Sequence, residues 1–161
     1  THGFDDQGRN YDKNGNLADW WTPEDAALFT ERADRLVQQY DNIIVADSVH
    51  ANGRYTLGEN IADQGGLQVS HLAYLNSLKG KTPAPIDGFT NEQRFYLGYA
   101  TLWGQNIRPE EILLLTKIDP HSLGKWRVNA ALRNIDTFYS AFDIKEGDPM
   151  YMLPAERVVI W

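Results

Sequence analysis

Glu59 and Asp63 stand four residues apart in the stretch Gly58-Glu59-Asn60-Ile61-Ala62-Asp63-Gln64-Gly65-Gly66. On a helix that spacing puts both carboxylates on one face, with about 5–6 Å between their Cβ atoms, and an unpaired couple of like charge there destabilises the helix. A cation, a histidine or a metal on the same face removes the penalty. A solvated acidic pair with a Lys or Arg nearby also fits these residues. A second reactive cluster is Asp119-Pro120-His121-Ser122-Leu123-Gly124-Lys125-Trp126-Arg127. It puts a His and an Arg in a loop hemmed by Pro and Gly, the kind of segment that often carries function. A His next to an Asp can donate a proton, and Arg gives a forked grip on a carbonyl or carboxylate; an ordinary loop with solvated charges has the same composition. A third is His2, followed by Asp5 and Asp6. An imidazole that binds a metal usually donates its other N–H to a carboxylate, and either aspartate could accept it. Taken alone, Thr1 to Gly8 reads as a frayed terminal histidine beside two solvated acids.

Composition narrows the classes. The 161 residues make one domain's worth of chain, and 42% hydrophobic with 12% aromatic content implies a packed core. A formal charge of -7 disfavours nucleic acid and anionic membrane, which need a basic face. No apolar run reaches the roughly 18 residues that a membrane span requires. The absence of cysteine leaves His, Asp and Glu as the candidate ligands for any metal. Asn10-Tyr11-Asp12-Lys13-Asn14-Gly15-Asn16 matches the opening of a calcium loop, but Ala18 and then Trp21 occupy positions that need oxygen ligands. A polar turn with Lys13 to Asn16 at its tip is the expectation.

These side chains have to be held by helices. Thr22 as cap, Pro23 in the first turn and the acids Glu24 and Asp25 predict a helix running to about Tyr40, with Ala26, Phe29, Ala33, Leu36 and Val37 as its apolar stripe. Ile43-Ile44-Val45 suits either a short strand or the end of that helix. The helix bearing Glu59 is predicted to continue through Leu75 across Gly65-Gly66, a pair that costs roughly 1 kcal/mol each relative to Ala and suggests close approach by another helix or backbone. His71, twelve residues past Glu59 and about 18 Å along the axis, cannot share a metal with it and reads as an ordinary surface or core histidine. Lys79 to Gly88 is a loop. Thr90 and Gln93 form a capping box before a helix that looks apolar around most of its circumference, from Phe95 to Trp103. Another helix starts at Arg108-Pro109 and ends at Asp119-Pro120. One or two more lie between Val128 and Phe142, and residues 143–161 are mostly irregular. The fold class expected is mainly α, with 1–161 as a single domain.

Three segments in order carry a resemblance that covers essentially the whole chain: Thr-His-Gly-Phe-Asp-Asp-Gln-Gly-Arg-Asn at 1–10, Gly-Glu-Asn-Ile-Ala-Asp-Gln-Gly-Gly at 58–66, and Asp-Pro-His-Ser-Leu-Gly-Lys-Trp-Arg-Val-Asn at 119–129. With Asp19-Trp20-Trp21, Asn91 to Phe95 and the terminal Trp161, the chain resembles the neprilysin and endothelin-converting-enzyme family of zinc metallopeptidases. The resemblance implies the helical C-terminal part of a zincin-type catalytic domain that uses Zn2+ to cut oligopeptides on the amino side of hydrophobic residues. It implies that His2 is the second histidine of HExxH and Glu59 the third zinc ligand. Asp5 would orient His2, and Asp63 would orient the first histidine. His121 would steady the oxyanion of the tetrahedral intermediate, Arg127 would hold a substrate carbonyl, and Leu102 with Trp103 would line the hydrophobic pocket. Asn60 and Ala62 match the motif without a chemical role.

The departures carry implications too. With no initiator Met or leader, the start reads as cut from a longer chain inside HExxH, so the first histidine and the general-base Glu are absent. The 161 residues alone are then expected to be inactive, with Asp63 left without its imidazole. The implied partners are peptide substrates and the upstream part of the same polypeptide. Vertebrate members have a Cys where this chain has Val158, so the resemblance points to a bacterial, extracytoplasmic relative, periplasmic or anchored in the cell envelope. Val159 stands where some relatives carry an Arg that recognises a substrate's C-terminus, which argues against a preference for releasing dipeptides. A non-catalytic helical binding module is the other function class that the absent ligands would permit.

Overall fold

The computed structural model describes residues 1–161. The chain forms six helices, α1 (Pro23–Asp41), α2 (Leu57–Ser77), α3 (Asn91–Leu102), α4 (Pro109–Ile118), α5 (Gly124–Leu132) and α6 (Asp136–Phe142), with a two-stranded antiparallel hairpin of β1 (Ile44–Ala46) and β2 (Val49–His50) between α1 and α2. It is mainly α, as expected. None of its helices is long and apolar enough to cross a membrane.

Local chemistry starts and stops these elements. Thr22 accepts a hydrogen bond from the Asp25 amide at the head of α1, and Thr90 with Gln93 closes both halves of the capping box of α3. Asp119, which precedes Pro120, is extended and ends α4. The segment Asp12 to Asn16 is a turn: the Asp12 carboxylate accepts from the amides of Asn14 (2.8 Å) and Asn16 (2.9 Å). Those bonds, the one from Asn16 foremost, hold its pKa below the ordinary value.

α2 is the spine of the molecule. Its Leu57 and Ile61 pack with Phe29, Ala33, Leu36, Val37 and Tyr40 of α1 and with Val158 and Ile160 of the C-terminal tail. Farther along, Leu67 joins a second cluster built from Tyr96, Val128, Leu132, Phe138 and their neighbours. Trp161 closes the first cluster from outside, its ring 5.6 Å from Phe29, 5.7 Å from Trp21 and 5.9 Å from Phe4. Ile61 lies between Glu59 and Asp63 in sequence but faces the opposite way, 1% exposed. Ile61→Ala is therefore expected to cost about 2–5 kcal/mol through the cavity it leaves, read as a fall in the thermal midpoint of the whole polypeptide.

Two expectations change. α3 is not apolar-buried all round: of its residues only Asn91 and Tyr96 are fully buried, while Leu97 is 36% and Leu102 76% exposed. One stripe, Phe95, Tyr96, Tyr99, Ala100 and Trp103, does the packing, and Leu97 and Leu102 on the other side of the helix are left exposed. The Gly65-Gly66 pair is also not crossed by another helix. A Cβ on Gly65 would meet Trp161 at 3.4 Å and Thr1 at 3.5 Å, ordinary contacts, and one on Gly66 would meet nothing within 4 Å. His71 is a core histidine, 5% exposed and stacked on Tyr96 with ring centroids 5.5 Å apart.

Candidate metal centre

Glu59 sits in the first turn of α2, where a carboxylate complements the positive end of the helix. Asp63 follows one turn later. Three elements meet this face: the N-terminal segment carrying His2, the loop after α4 carrying His121, and the first turn of α5 carrying Arg127. The sequence suggested that Arg127 belongs to the loop; it lies on α5 instead, because the helix begins at Gly124.

His2 is held from one side and presented from the other. Its Nδ1 lies 2.7 Å from Asp5 Oδ2, while Nε2 lies 3.4 Å from Glu59 Oε1. Asp5 is itself fixed: 5% exposed, it accepts the amides of Gln7 (2.9 Å) and Gly8 (2.7 Å) on its other oxygen. Because the carboxylate accepts from Nδ1–H, a neutral His2 ring has its lone pair on Nε2, toward Glu59. Gly58 lies against the carboxylates of this segment; a Cβ there would fall 2.9 Å from Asp6 Oδ1 and 3.2 Å from Asp5 Oδ2, the oxygen that holds His2. Asp5, not Asp6, is thus the partner of His2, and the histidine is tied rather than frayed.

Asp63 is not left bare. Arg127 grips it with a fork, Nε to Oδ2 at 2.7 Å and Nη2 to Oδ1 at 2.7 Å, and Nη2 also comes within 3.4 Å of Glu59 Oε2. The side chains are 11% and 8% exposed, and a carboxylate that enclosed needs a partner. The like-charge penalty between Glu59 and Asp63 is removed by this cation. Burial works against the Arg127 charge, but the bond to Asp63 and the charges of Asp63 and Glu59 outweigh it and lift its pKa above the ordinary value. Nearby Tyr99 is pushed up, by burial first and then by the Asp63 charge. Trp103 lies under the guanidinium, 3.9 Å from Arg127 Cζ to the ring centroid. It thus supports Arg127 with its face, a contact its sequence position did not suggest, and the neighbouring Leu102 is largely exposed.

His121 is pinned at both nitrogens. Nδ1 is 2.6 Å from Asp119 Oδ1 and Nε2 is 3.2 Å from Glu59 Oε2. The Asp119 carboxyl is held below its usual pKa, chiefly by the His121 amide at 2.9 Å and also by the ring. Asp119, the acid that the sequence places beside His121, is its partner, and its spacing, two residues before a His across a Pro, suits a side-chain-capped turn.

His2 Nε2 and the Glu59 carboxylate form a nitrogen–oxygen donor pair of the kind zinc takes. By themselves the His, Asp and Glu side chains of these 161 residues form no group of three arranged to hold a metal. His71 stays apart from the cluster, on the α2–α3 contact.

The helical frame and this cluster of His, Glu, Asp and Arg have counterparts among known proteins. Residues 1–158 match Peptidase family M13, and the chain belongs to that family. It is 42% identical over 166 residues to human membrane metallo-endopeptidase-like 1 and 40% identical over 166 residues to human neprilysin, covering 100% of this chain in both and 21% and 22% of those proteins. A crystal structure of a zinc metalloprotease from Mycobacterium tuberculosis in complex with an inhibitor superposes with a TM-score of 0.97 at 43% identity, covering 99% of this chain and 25% of that one. The chain therefore spans about a fifth of the length of the curated relatives it matches.

Proposed function

We propose that these 161 residues are the C-terminal portion of the catalytic domain of a zinc metalloendopeptidase, and that His2 and Glu59 supply two of the zinc ligands. The observation that carries this reading is the paired geometry of His2: Nδ1 on the buried carboxylate of Asp5 and Nε2 directed at Glu59. A carboxylate on one imidazole nitrogen fixes the ring and makes the other a better ligand. The donor types fit zinc, with a further histidine to come from outside the 161 residues.

When bound, the metal acidifies a water and polarises the scissile carbonyl. The chain's own residues do the rest. Asp5 holds His2. His121, its Nδ1–H given to Asp119, presents Nε2 on the side of Glu59; as the imidazolium, with a proton on both nitrogens, it donates from Nε2 to the carbonyl oxygen of the substrate and stabilises the charge that develops there. Arg127 has both ends of its fork engaged by Asp63, which leaves Nη1 to reach a substrate carbonyl. Trp103 stacks on Arg127 and, with Leu102 at the rim, contributes apolar surface beside the position of the residue after the scissile bond. Asp63 would orient the further histidine. Without that histidine and a general base, the 161-residue chain by itself hydrolyses nothing.

A relative named a membrane metallo-endopeptidase supports peptide substrates and a place at a membrane; we infer the extracytoplasmic side. The reading is tested on the whole polypeptide purified without chelator: it should carry stoichiometric zinc and cleave a peptide bearing a hydrophobic residue after the scissile bond. Absence of both would leave a non-catalytic helical binding module. Asp5→Ala, which frees His2 Nδ1, is expected to weaken zinc affinity about 10–100-fold, measured by competition with a chromogenic chelator.

A further inference from the structure

Behind the site runs a buried chain of hydrogen bonds that the chemistry above does not use. Ser122 Oγ donates to Asn60 Oδ1 at 2.7 Å, Asn60 Nδ2 donates to Thr56 Oγ1 at 2.9 Å, and Thr56 Oγ1 donates to the Asn52 carbonyl at 3.0 Å. All donors point the same way, and the run ends on backbone. Asn60 is 1%, Thr56 5% and Ser122 8% exposed. Asn60 follows Glu59 directly, and Ser122 follows His121.

We propose that Asn60 and Ser122 are positioning residues that hold the His121 loop in register on α2, and so set the distance from His121 to Glu59. This rests on the reading of His121 as the oxyanion donor. The ring of His121 is 44% exposed, so packing does not place it. Asp119 fixes its orientation from the end of α4, but it makes no contact with α2 that would set the distance to Glu59. The bond from Ser122 to Asn60 is the side-chain tie that runs from this loop into the buried face of α2. A buried hydrogen-bonded network of this kind favours one geometry over others of similar packing. Apolar residues of similar size would pack there as well but would not select the register.

The test uses the whole zinc-loaded polypeptide. In Ser122→Ala and in Asn60→Ala, kcat is expected to fall about 10–100-fold, with KM changed less than about twofold and zinc content unchanged. Ser122→Thr, which keeps the hydroxyl, recovers most of the lost rate. The double variant is no slower than the slower single one, because both remove one tie. Backbone hydrogen exchange over residues 119–123 rises at least about tenfold in Ser122→Ala. An unchanged kcat, loss of zinc, or unchanged exchange in Ser122→Ala overturns the proposal. A wild-type protein that cleaves no peptide sinks the peptidase reading instead, and the exchange measurement still decides whether the tie holds the loop.

Discussion

Glu59→Gln in the whole polypeptide is expected to leave a folded protein that no longer holds zinc. The substitution keeps the shape of the side chain, so the packing of α2 through Leu57 and Ile61 is untouched. It removes the negative charge and leaves a neutral amide where the proposed ligand carboxylate faces His2 Nε2 at 3.4 Å. Zinc sites of this type use three protein ligands and one open position, and a neutral amide is a poor substitute for carboxylate on a dication. Metal analysis should show a drop from about one zinc per chain to a small fraction of it, with turnover lost and the fold preserved by circular dichroism. Two further partners lean on the same carboxylate, His121 at 3.2 Å and Arg127 at 3.4 Å. A smaller secondary effect on their positions is therefore expected, but it is not visible once the metal is gone. Retention of full zinc in Glu59→Gln would remove Glu59 from the ligand set.

His121→Ala should separate catalysis from metal binding. The imidazole is engaged by Asp119 at Nδ1 and faces the Glu59 carboxylate with Nε2, an orientation that suits a donor. Removing one preorganised donor to a developing oxyanion costs about 10²–10³ in kcat. The expected result is that loss at full zinc occupancy, with KM little changed. Loss of zinc along with activity would contradict the division of roles between Glu59 and His121.

Much of this could be read from the sequence because it is local. The caps at Thr22 and Thr90, the Pro-terminated end of α4 and the turn at Asp12 to Asn16 all depend on residues within four positions of one another, where side-chain to backbone bonds act. The identity of the acidic pair on α2 was legible for the same reason. What neutralises the pair was not: Arg127 reaches Asp63 across 64 residues of sequence, and only the packing of α5 on α2 brings them together. The partly exposed α3 shows a related limit. Leu97 and Leu102 count as apolar in any pattern, yet a helix packed on one stripe leaves them to solvent. Trp103 is stacked on Arg127, a contact that no spacing rule anticipates. Asn60 matched the motif without a role, because its partner Ser122 lies 62 residues away.

The central claim is that His2, held by Asp5, and Glu59, which it faces, are zinc ligands. Anomalous X-ray diffraction at the zinc edge on crystals of the whole polypeptide tests it most directly. The expected result is one zinc site bonded to His2 Nε2 and a Glu59 carboxylate oxygen, with Asp5 still on His2 Nδ1 and His121 close by but not coordinating. Zinc located away from both residues, or bonded to His121 in place of Glu59, would contradict it.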